Sequence, residues 1–279
     1  MNVATGLIPK VERAISVLSA HRGLVVALSG GVDSATLLAI AREAMGPDNL
    51  LAVTGRSGSV AKRELDDASR VARDLGVPHT VVDTHEIERV EYRTNAGDRC
   101  FHCRTELFEV LSAISIGRGM RAIAYGAIVD DLGDDRPGME AARKMGILAP
   151  LLDAGICKSD VRVLAKQFNI HIHDKPSNAC LASRIPAGQE VTTARLAQVD
   201  RAESGLIELG FRQSRVRHHG DIARIELTSD DARRLGDSAL RAEIVRAVKA
   251  AGFRFVAVDL EGYGTGRLYS IDPARDSGQ

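Results

Sequence analysis

The sequence predicts an α/β protein: a doubly wound parallel sheet followed by a smaller C-terminal α+β domain. Three observations carry this expectation. The run 24–28 is short, continuous and apolar, as in a strand buried on both faces, and 33–44 has the period of a helix. Strand-length and helix-length segments then alternate as far as residue 151, the arrangement of a parallel sheet with right-handed crossovers. Beyond Val191 the pattern changes to helix, hairpin, helix and strand. A chain of 279 residues has room for two cores, and Pro186 and Gly188 break regular structure between them. The expected domains are therefore 1–185 and 186–271, with a disordered tail at 272–279.

In order, Val11, Ile15, Val17 and Leu18 place an amphipathic helix at the N-terminus, which does not read as a signal peptide. After the first strand and helix come a strand at 50–54 and a helix at 62–75 that turns Leu65, Ala68, Val71, Ala72 and Leu75 inward. A third strand is expected at 79–82, a helix entered near Phe101, a fourth strand at 122–125, a short helix at 139–145 and a fifth strand at 148–151. A helix starts at Lys158 with Ser159 as its N-cap. The second domain opens with a helix at 193–209. A hairpin of 212–218 and 221–227 turns at His219-Gly220, and a helix at 230–251 and a strand at 253–260 complete it.

Lys plus Arg and Asp plus Glu are both 37, so the whole-chain field favours neither nucleic acid nor an anionic membrane, and any basic site must be local. Trp is absent, which leaves little for stacking on single-stranded bases. No apolar run reaches the roughly 18 residues of a membrane-spanning helix, so a cytoplasmic protein is expected. There, cysteines serve as thiols, metal ligands or catalysts more often than as disulfides.

Ser29-Gly30-Gly31-Val32-Asp33-Ser34 is the turn between the first strand and helix. Two glycines let backbone amides approach a ligand, and a helix N-terminus favours an anion, so a phosphate chain is the natural occupant. The Lys that ends a Walker loop is missing, and a carboxylate, Asp33, stands there instead. Beside phosphates it calls for Mg²⁺. Thr, Ser and Gly residues of 54–59, at the end of the second strand, border the adenine and ribose. Asp130 and Asp131, nearest the end of the fourth strand, suit Mg²⁺ or a cationic substrate group, and Asp134 and Asp135 suit that role or a solvated loop. Lys158, at a helix start, reads as a solvated surface lysine or as an ammonium for the phosphates.

Cys100 and Cys103 are spaced to reach one metal or cluster, or to pair as a redox dithiol. Cys180 lies in an irregular loop with Lys175 and Arg184, where a thiolate is favoured. Arg215 and Arg217 share one strand face, as a phosphate or carboxylate clamp or as an exposed basic strand paired with Glu226. His218 and His219 read as turn residues.

SGGVDS resembles the PP-loop of the N-type ATP pyrophosphatases, and KSDVR looks like a second element of those enzymes. Together with RCFHC, DDLGDDRPG, CLASRIP and RVRHHGDIARIE, in this order, the chain resembles the LarE family over nearly its whole length. That family comprises ATP-dependent sulfur transferases of nickel-pincer nucleotide cofactor biosynthesis. The resemblance implies an adenine nucleotide alpha hydrolase-like fold and homo-oligomerisation. It implies ATP and Mg²⁺ on Ser29, Gly30, Gly31, Asp33, Ser34 and Lys158. It also implies a small-molecule nucleotide substrate, pyridinium-3,5-biscarboxylic acid mononucleotide, on Ser183, Arg184, Arg215, Arg217, Glu203, Asp130 and Asp131. One form of the family gives up the sulfur of the CLASR cysteine, and another holds a [4Fe–4S] cluster on that cysteine and a CxxC; Cys100, Cys103 and Cys180 match the second form. Cys157 matches neither and reads as structural. Where many relatives carry Gly-Thr-Asn, this chain has Gly126-Ala127-Ile128, so polar contacts there do not transfer. The rival readings are a PP-loop tRNA thiolase and a non-catalytic ATP- or cluster-binding protein.

Overall fold

The computed structural model describes residues 4–133 and 136–264. Asp134, Asp135 and the expected tail 272–279 lie outside the described residues. No helix among the described residues is long and apolar enough to cross a membrane.

The elements are, in order, α1 (Ile8–Ser19), β1 (Leu24–Ala27), α2 (Val32–Met45), β2 (Leu50–Arg56), α3 (Lys62–Asp74), β3 (His79–Asp83), α4 (Val90–Thr94), α5 (Arg99–Gly117), β4 (Ala122–Tyr125), α6 (Arg136–Lys144), α7 (Pro150–Asp153) and α8 (Lys158–Gln167). There follow α9 (Thr193–Glu208), β5 (Ser214–His219), β6 (Ile222–Leu227), α10 (Ser229–Arg233), α11 (Ser238–Ala250) and β7 (Phe255–Val258). They form two compact units. The first runs to Arg89 and resumes at Asp98–Asn178; the second takes Val90–Gly97 and the described chain from Ala179. The stretch 179–185, which the sequence assigns to the first domain, belongs to the second unit, because Arg184 is anchored on α9.

In the first unit four parallel strands run in the order β3-β2-β1-β4. β1 is central: Leu24, Val25 and Val26 are fully buried, and its register sets Leu24 against both Leu50 and Ala122. Its continuous apolar run follows from having helices on both faces. One face packs on α1, α2 and α8 through residues such as Leu18, Leu38, Ile40 and Leu164, the other on α5 through Phe108 and Leu111. The expected fifth strand at 148–151 is a correction. Only a single bridge, Ala124 to Leu148, is made, and Pro150 then starts α7. Proline has no N–H for a ladder but fits the first turn of a helix.

The second unit holds a three-stranded sheet, β5-β6-β7, with β5 and β6 antiparallel and β6 and β7 parallel. α9 and α11 pack on it, and Leu196, Val199, Leu206, Ile225 and Val248 are buried there. The single helix expected at 230–251 is two. Thr228 caps α10, a 3₁₀ turn follows at Arg234–Gly236, and Asp237 caps α11 by accepting the N–H of Ala239 at 2.8 Å. A residue that hydrogen-bonds amides ahead of it ends one helix and begins the next.

Gly126 follows β4, where a Cβ would stand 2.7 Å from the amide nitrogen of Ser34. Gly126→Ala is expected to lower stability by about 1–3 kcal/mol, as forced overpacking does. Gly117→Ala, which meets nothing within 4 Å, is the control. Thermal unfolding of the two variants checks this; equal midpoints refute it.

Candidate functional site

The carboxyl ends of β1, β2 and β4 open on a cavity of about 300 Å³. Ser29, Asp33 and Ser34 line it together with Thr54, Ser57, Ser59, Glu86, Cys103, Arg104, Tyr125, Gly126 and Asp131. A parallel sheet places its ligand there because successive loops leave the same edge. The turn expected from the sequence is formed. Gly30 has φ +77°, and a Cβ on it would lie 2.2 Å from the carbonyl oxygen of Glu64, so only glycine lets the loop pass α3. Gly31 precedes α2 without any side-chain cap. The first amides of that helix have no intrahelical acceptor, which is how a helix start receives phosphate oxygens. Ser34 ties the loop from within: its Oγ donates to the carbonyl of Gly31 at 3.0 Å and accepts the Ser29 N–H at 3.1 Å.

Lys158 arrives at this loop as expected. Its ammonium donates to both carboxylate oxygens of Asp33, at 2.8 and 2.7 Å. Asp130 accepts the backbone N–H of Lys158 at 2.8 Å, so it fixes the start of α8. Asp131 accepts the N–H of Ile128 at 2.9 Å and lines the cavity. The N-cap differs from expectation: Cys157, not Ser159, precedes α8, and Asp160 reaches back to the Cys157 N–H at 3.2 Å while holding the ammonium of Lys10 at 2.5 Å. Cys157 Sγ lies 3.1 Å from Ser159 Oγ.

Two residues at the loop escaped the sequence reading. Lys175 donates to the carbonyl oxygen of Gly30 at 2.9 Å, to Glu64 at 2.7 Å and to Asp67 at 2.6 Å. It holds the Gly30–Gly31 peptide with its carbonyl toward α3. The only sequence signal was a Lys in an irregular segment, here read as a neighbour of Cys180. His79 approaches Thr54 Oγ1 at 2.8 Å, and that hydroxyl donates to the carbonyl of Leu28 at 2.7 Å. Burial pulls the His79 pKa below its ordinary value and favours the neutral ring.

The two cysteines of the CxxC sit in the first turn of α5, Cys100 exposed and Cys103 on the cavity wall. Cys180 belongs to the second unit and is exposed. Among the described residues no three His, Cys, Asp or Glu side chains form a group able to hold a metal ion.

In the second unit the expected substrate arginines are not surface residues. Arg184 is fully buried and bonds both carboxylate oxygens of Glu203, at 2.7 and 3.1 Å. It also donates to the carbonyls of Ala179 and Cys180 and to Ser183 Oγ. Burial opposes its charge, but Glu203 more than offsets this and the pKa stands above its ordinary value. Glu203 accepts the Val216 N–H at 3.0 Å as well, closing the free edge of β5. Arg217 is paired with buried Glu226 at 2.8 and 2.9 Å and donates to the carbonyl of Ser183. The loop bearing Cys180 therefore rests on two buried ion pairs. Among the described residues Arg215 has no carboxylate partner. It stacks 4.4 Å over Tyr263 and donates to the carbonyl of Gly264, while its buried Nε has no partner among the described residues. Burial, with Arg184 and Arg217 nearby, draws its pKa below the ordinary value. Arg224 also reaches Glu226, at 3.4 Å, and pairs with Asp259, so four guanidiniums stand against three carboxylates among the described residues, a balance that suits an anion.

The NAD synthase family matches residues 8–106. A pyridinium-3,5-bisthiocarboxylic acid mononucleotide synthase of Lactiplantibacillus plantarum is 34% identical over 94% of this chain and 94% of its own. The chain belongs to the LarE family. An uncharacterised protein of Synechocystis, slr1717, is 37% identical over 88% of the chain and 92% of its own length. A tRNA-specific 2-thiouridylase of Xanthobacter autotrophicus is 30% identical over 65% of the chain and 56% of its own. Like its LarE relatives the chain is an enzyme, an ATP-dependent sulfur transferase of the PP-loop type.

Arg217→Ala leaves buried Glu226 to Arg224 alone, 3.4 Å away, and removes the bond to the Ser183 carbonyl, so a loss of about 1–3 kcal/mol in stability is expected. Arg215→Ala abandons no carboxylate and is expected to cost little stability while weakening anion binding about tenfold or more. Urea unfolding and pyrophosphate or phosphate titration separate the two effects, and equal destabilisation by both refutes the assignment. At the loop, Lys175→Met is expected to weaken ATP binding. Lys175→Met with Glu64→Gln restores the charge balance but not the bond to Gly30; full recovery of ATP affinity in that double variant removes the positioning role.

Proposed function

We propose that the chain adenylates a carboxylate of pyridinium-3,5-biscarboxylic acid mononucleotide and converts it to a thiocarboxylate. The observation that carries this reading is the shared cavity: Ser29, Asp33 and Ser34 of the phosphate loop line it together with a thiol, Cys103. Ser29, Gly30, Gly31 and Ser34 receive the phosphates of ATP. Lys158 leaves Asp33 for those phosphates, so Asp33 becomes free to hold Mg²⁺. The donor fits: a carboxylate in the first turn of α2, beside phosphates, needs a divalent cation between them. When bound, that ion neutralises phosphate charge.

An oxygen of the substrate carboxylate attacks the α-phosphorus, the α–β phosphoanhydride breaks, and pyrophosphate leaves. The acyl-adenylate has AMP as its leaving group. The Cys180 thiolate attacks the carbonyl carbon, AMP departs, and a thioester remains. Removal of the proton on Cα of residue 180 expels the sulfur with the product, leaving a thiocarboxylate and dehydroalanine. Arg215 supplies charge for the substrate phosphate or second carboxylate, with Ser183, Arg184, Arg217 and Glu203 shaping that site. Asp131 lines the cavity, and Asp130 beside it holds the start of α8. The reading includes homo-oligomerisation through the second domain.

In the alternative reading Cys100, Cys103 and Cys180 would hold a [4Fe–4S] cluster, which would supply the sulfur in place of a cysteine side chain. The placement of Cys103 in the cavity favours a part for the CxxC. The described residues as they stand do not form a metal-holding group, so no step is assigned to a cluster. The thiouridylase relative points to tRNA as a rival substrate, against which the zero net charge weighs.

Asp33→Asn is expected to abolish nearly all substrate-dependent pyrophosphate release, and near wild-type turnover at saturating Mg²⁺ sinks the assignment. Mass spectrometry of the protein after one turnover distinguishes the sulfur sources. Loss of hydrogen sulfide from Cys180 marks a sacrificial donor. An intact Cys180 in protein that carries iron and sulfide when purified anaerobically marks the cluster. Thiolation of tRNA with none of the pyridinium nucleotide overturns the substrate.

A further inference from the structure

Glu86 is only 2% exposed, yet it lines the cavity with the phosphate loop. It opens the 3₁₀ turn Glu86–Glu88 that follows β3. One carboxylate oxygen, Oε1, accepts from Ser57 Oγ at 2.5 Å and from Ser59 Oγ at 2.8 Å. The two hydroxyls are themselves 2.8 Å apart, and the Ser59 N–H donates to Ser57 Oγ at 3.2 Å. The other oxygen, Oε2, is buried and has no partner among the described residues. A buried acceptor without a donor costs more than an average hydrogen bond gains, so such a group in a cavity wall asks for the ligand that satisfies it.

Its place along the sheet says which part of a ligand that is. The phosphate loop follows β1, Ser57 and Ser59 follow β2, and Glu86 follows β3, in the strand order β1-β2-β3 from the centre outward. Two strand spacings, about 10 Å, separate the loop from the turn of Glu86. A nucleotide with its phosphates at Gly31 thus carries its nucleoside over Ser57, Ser59 and Glu86. A carboxylate oxygen can only accept, so it selects a donor and turns away an acceptor at the same point.

Resting on the ATP reading above, we propose that Glu86 selects the nucleoside. Oε2 accepts a hydrogen bond from a donor of the nucleoside, a ribose hydroxyl or the exocyclic amine, and Ser57 and Ser59 hold the carboxylate in the orientation that offers it.

The test is calorimetric binding of ATP, 2′-deoxy-ATP, 3′-deoxy-ATP and inosine triphosphate, each with Mg²⁺, to the full chain and to Glu86→Gln. Glutamine keeps an oxygen for the serines and puts an amide donor where Oε2 stood. The full chain is expected to prefer ATP over one class of analogue by about tenfold or more, and Glu86→Gln to lose that preference. Loss of preference against inosine triphosphate identifies the exocyclic amine; loss against a deoxy analogue identifies that hydroxyl. The double variant Ser57→Ala/Ser59→Ala, which leaves Glu86 in place, is expected to weaken the same preference, so the outcome does not depend on one variant folding. Equal affinity of the full chain for all four nucleotides overturns the inference, as does a preference that both variants retain. Failure of the full chain to bind any of the four removes the ATP reading itself, and the inference falls with it.

Discussion

At Gly30 the backbone passes so near the carbonyl of Glu64 that no side chain fits, and at Gly126 a side chain would run into the start of α2. These contacts place two loops at one edge of the sheet. The first supplies uncapped amides and the second closes the floor beneath them. Everything charged at the site is arranged around that backbone: Lys158 on Asp33, Asp130 on the start of α8, and Lys175 on the carbonyl of Gly30. The loop's own groups are thus tied within the fold, with the Ser29 N–H on Ser34 and the Gly31 N–H on Ser29, and the first amides of α2 are left without a side-chain cap.

The second unit solves a different problem. The irregular loop that carries Cys180 must be held in place from within the fold. Arg184 does this from below, binding two loop carbonyls and Ser183 while neutralised by Glu203, and Arg217 adds the carbonyl of Ser183 while neutralised by Glu226. Burial makes these pairs expensive to break, which suits a scaffold. Arg215, without a carboxylate partner among the described residues, keeps its charge for something else.

Much of this was readable beforehand. The phosphate loop and the four parallel strands followed from apolar runs, glycine pairs and order along the chain, and the arrival of Lys158 from the resemblance of KSDVR to an element of the PP-loop enzymes. The fifth strand failed because an apolar run beside a proline reads alike as strand or helix start, and the break at Asp237 failed because one capping side chain outweighs a continuous helical period. The burial of Arg184, Arg215 and Arg217 was hidden for a different reason. Alternation along a strand tells which residues share a face, but whether another element covers that face is a tertiary fact; α9, with Glu203, covers this edge. Lys175 and Glu86 left no local trace because their partners lie far along the chain.

The stretch Val90–Gly97 belongs to the second unit although first-unit chain flanks it on both sides. Asn95 bonds the carbonyls of Ile185, Pro186 and Gln189, and Arg93 accepts the N–H of Val191 through its carbonyl, so the stretch is built into the fold of its unit. The polypeptide therefore passes between units at Arg89, at Gly97 and at Asn178. No single cut separates them: a fragment starting at Ala179 lacks the strap that Asn95 and Arg93 provide, and one ending at Asn178 carries that strap with nothing to hold. Neither half is a transferable module, and shuffling one onto another protein would have to move two pieces of gene at once.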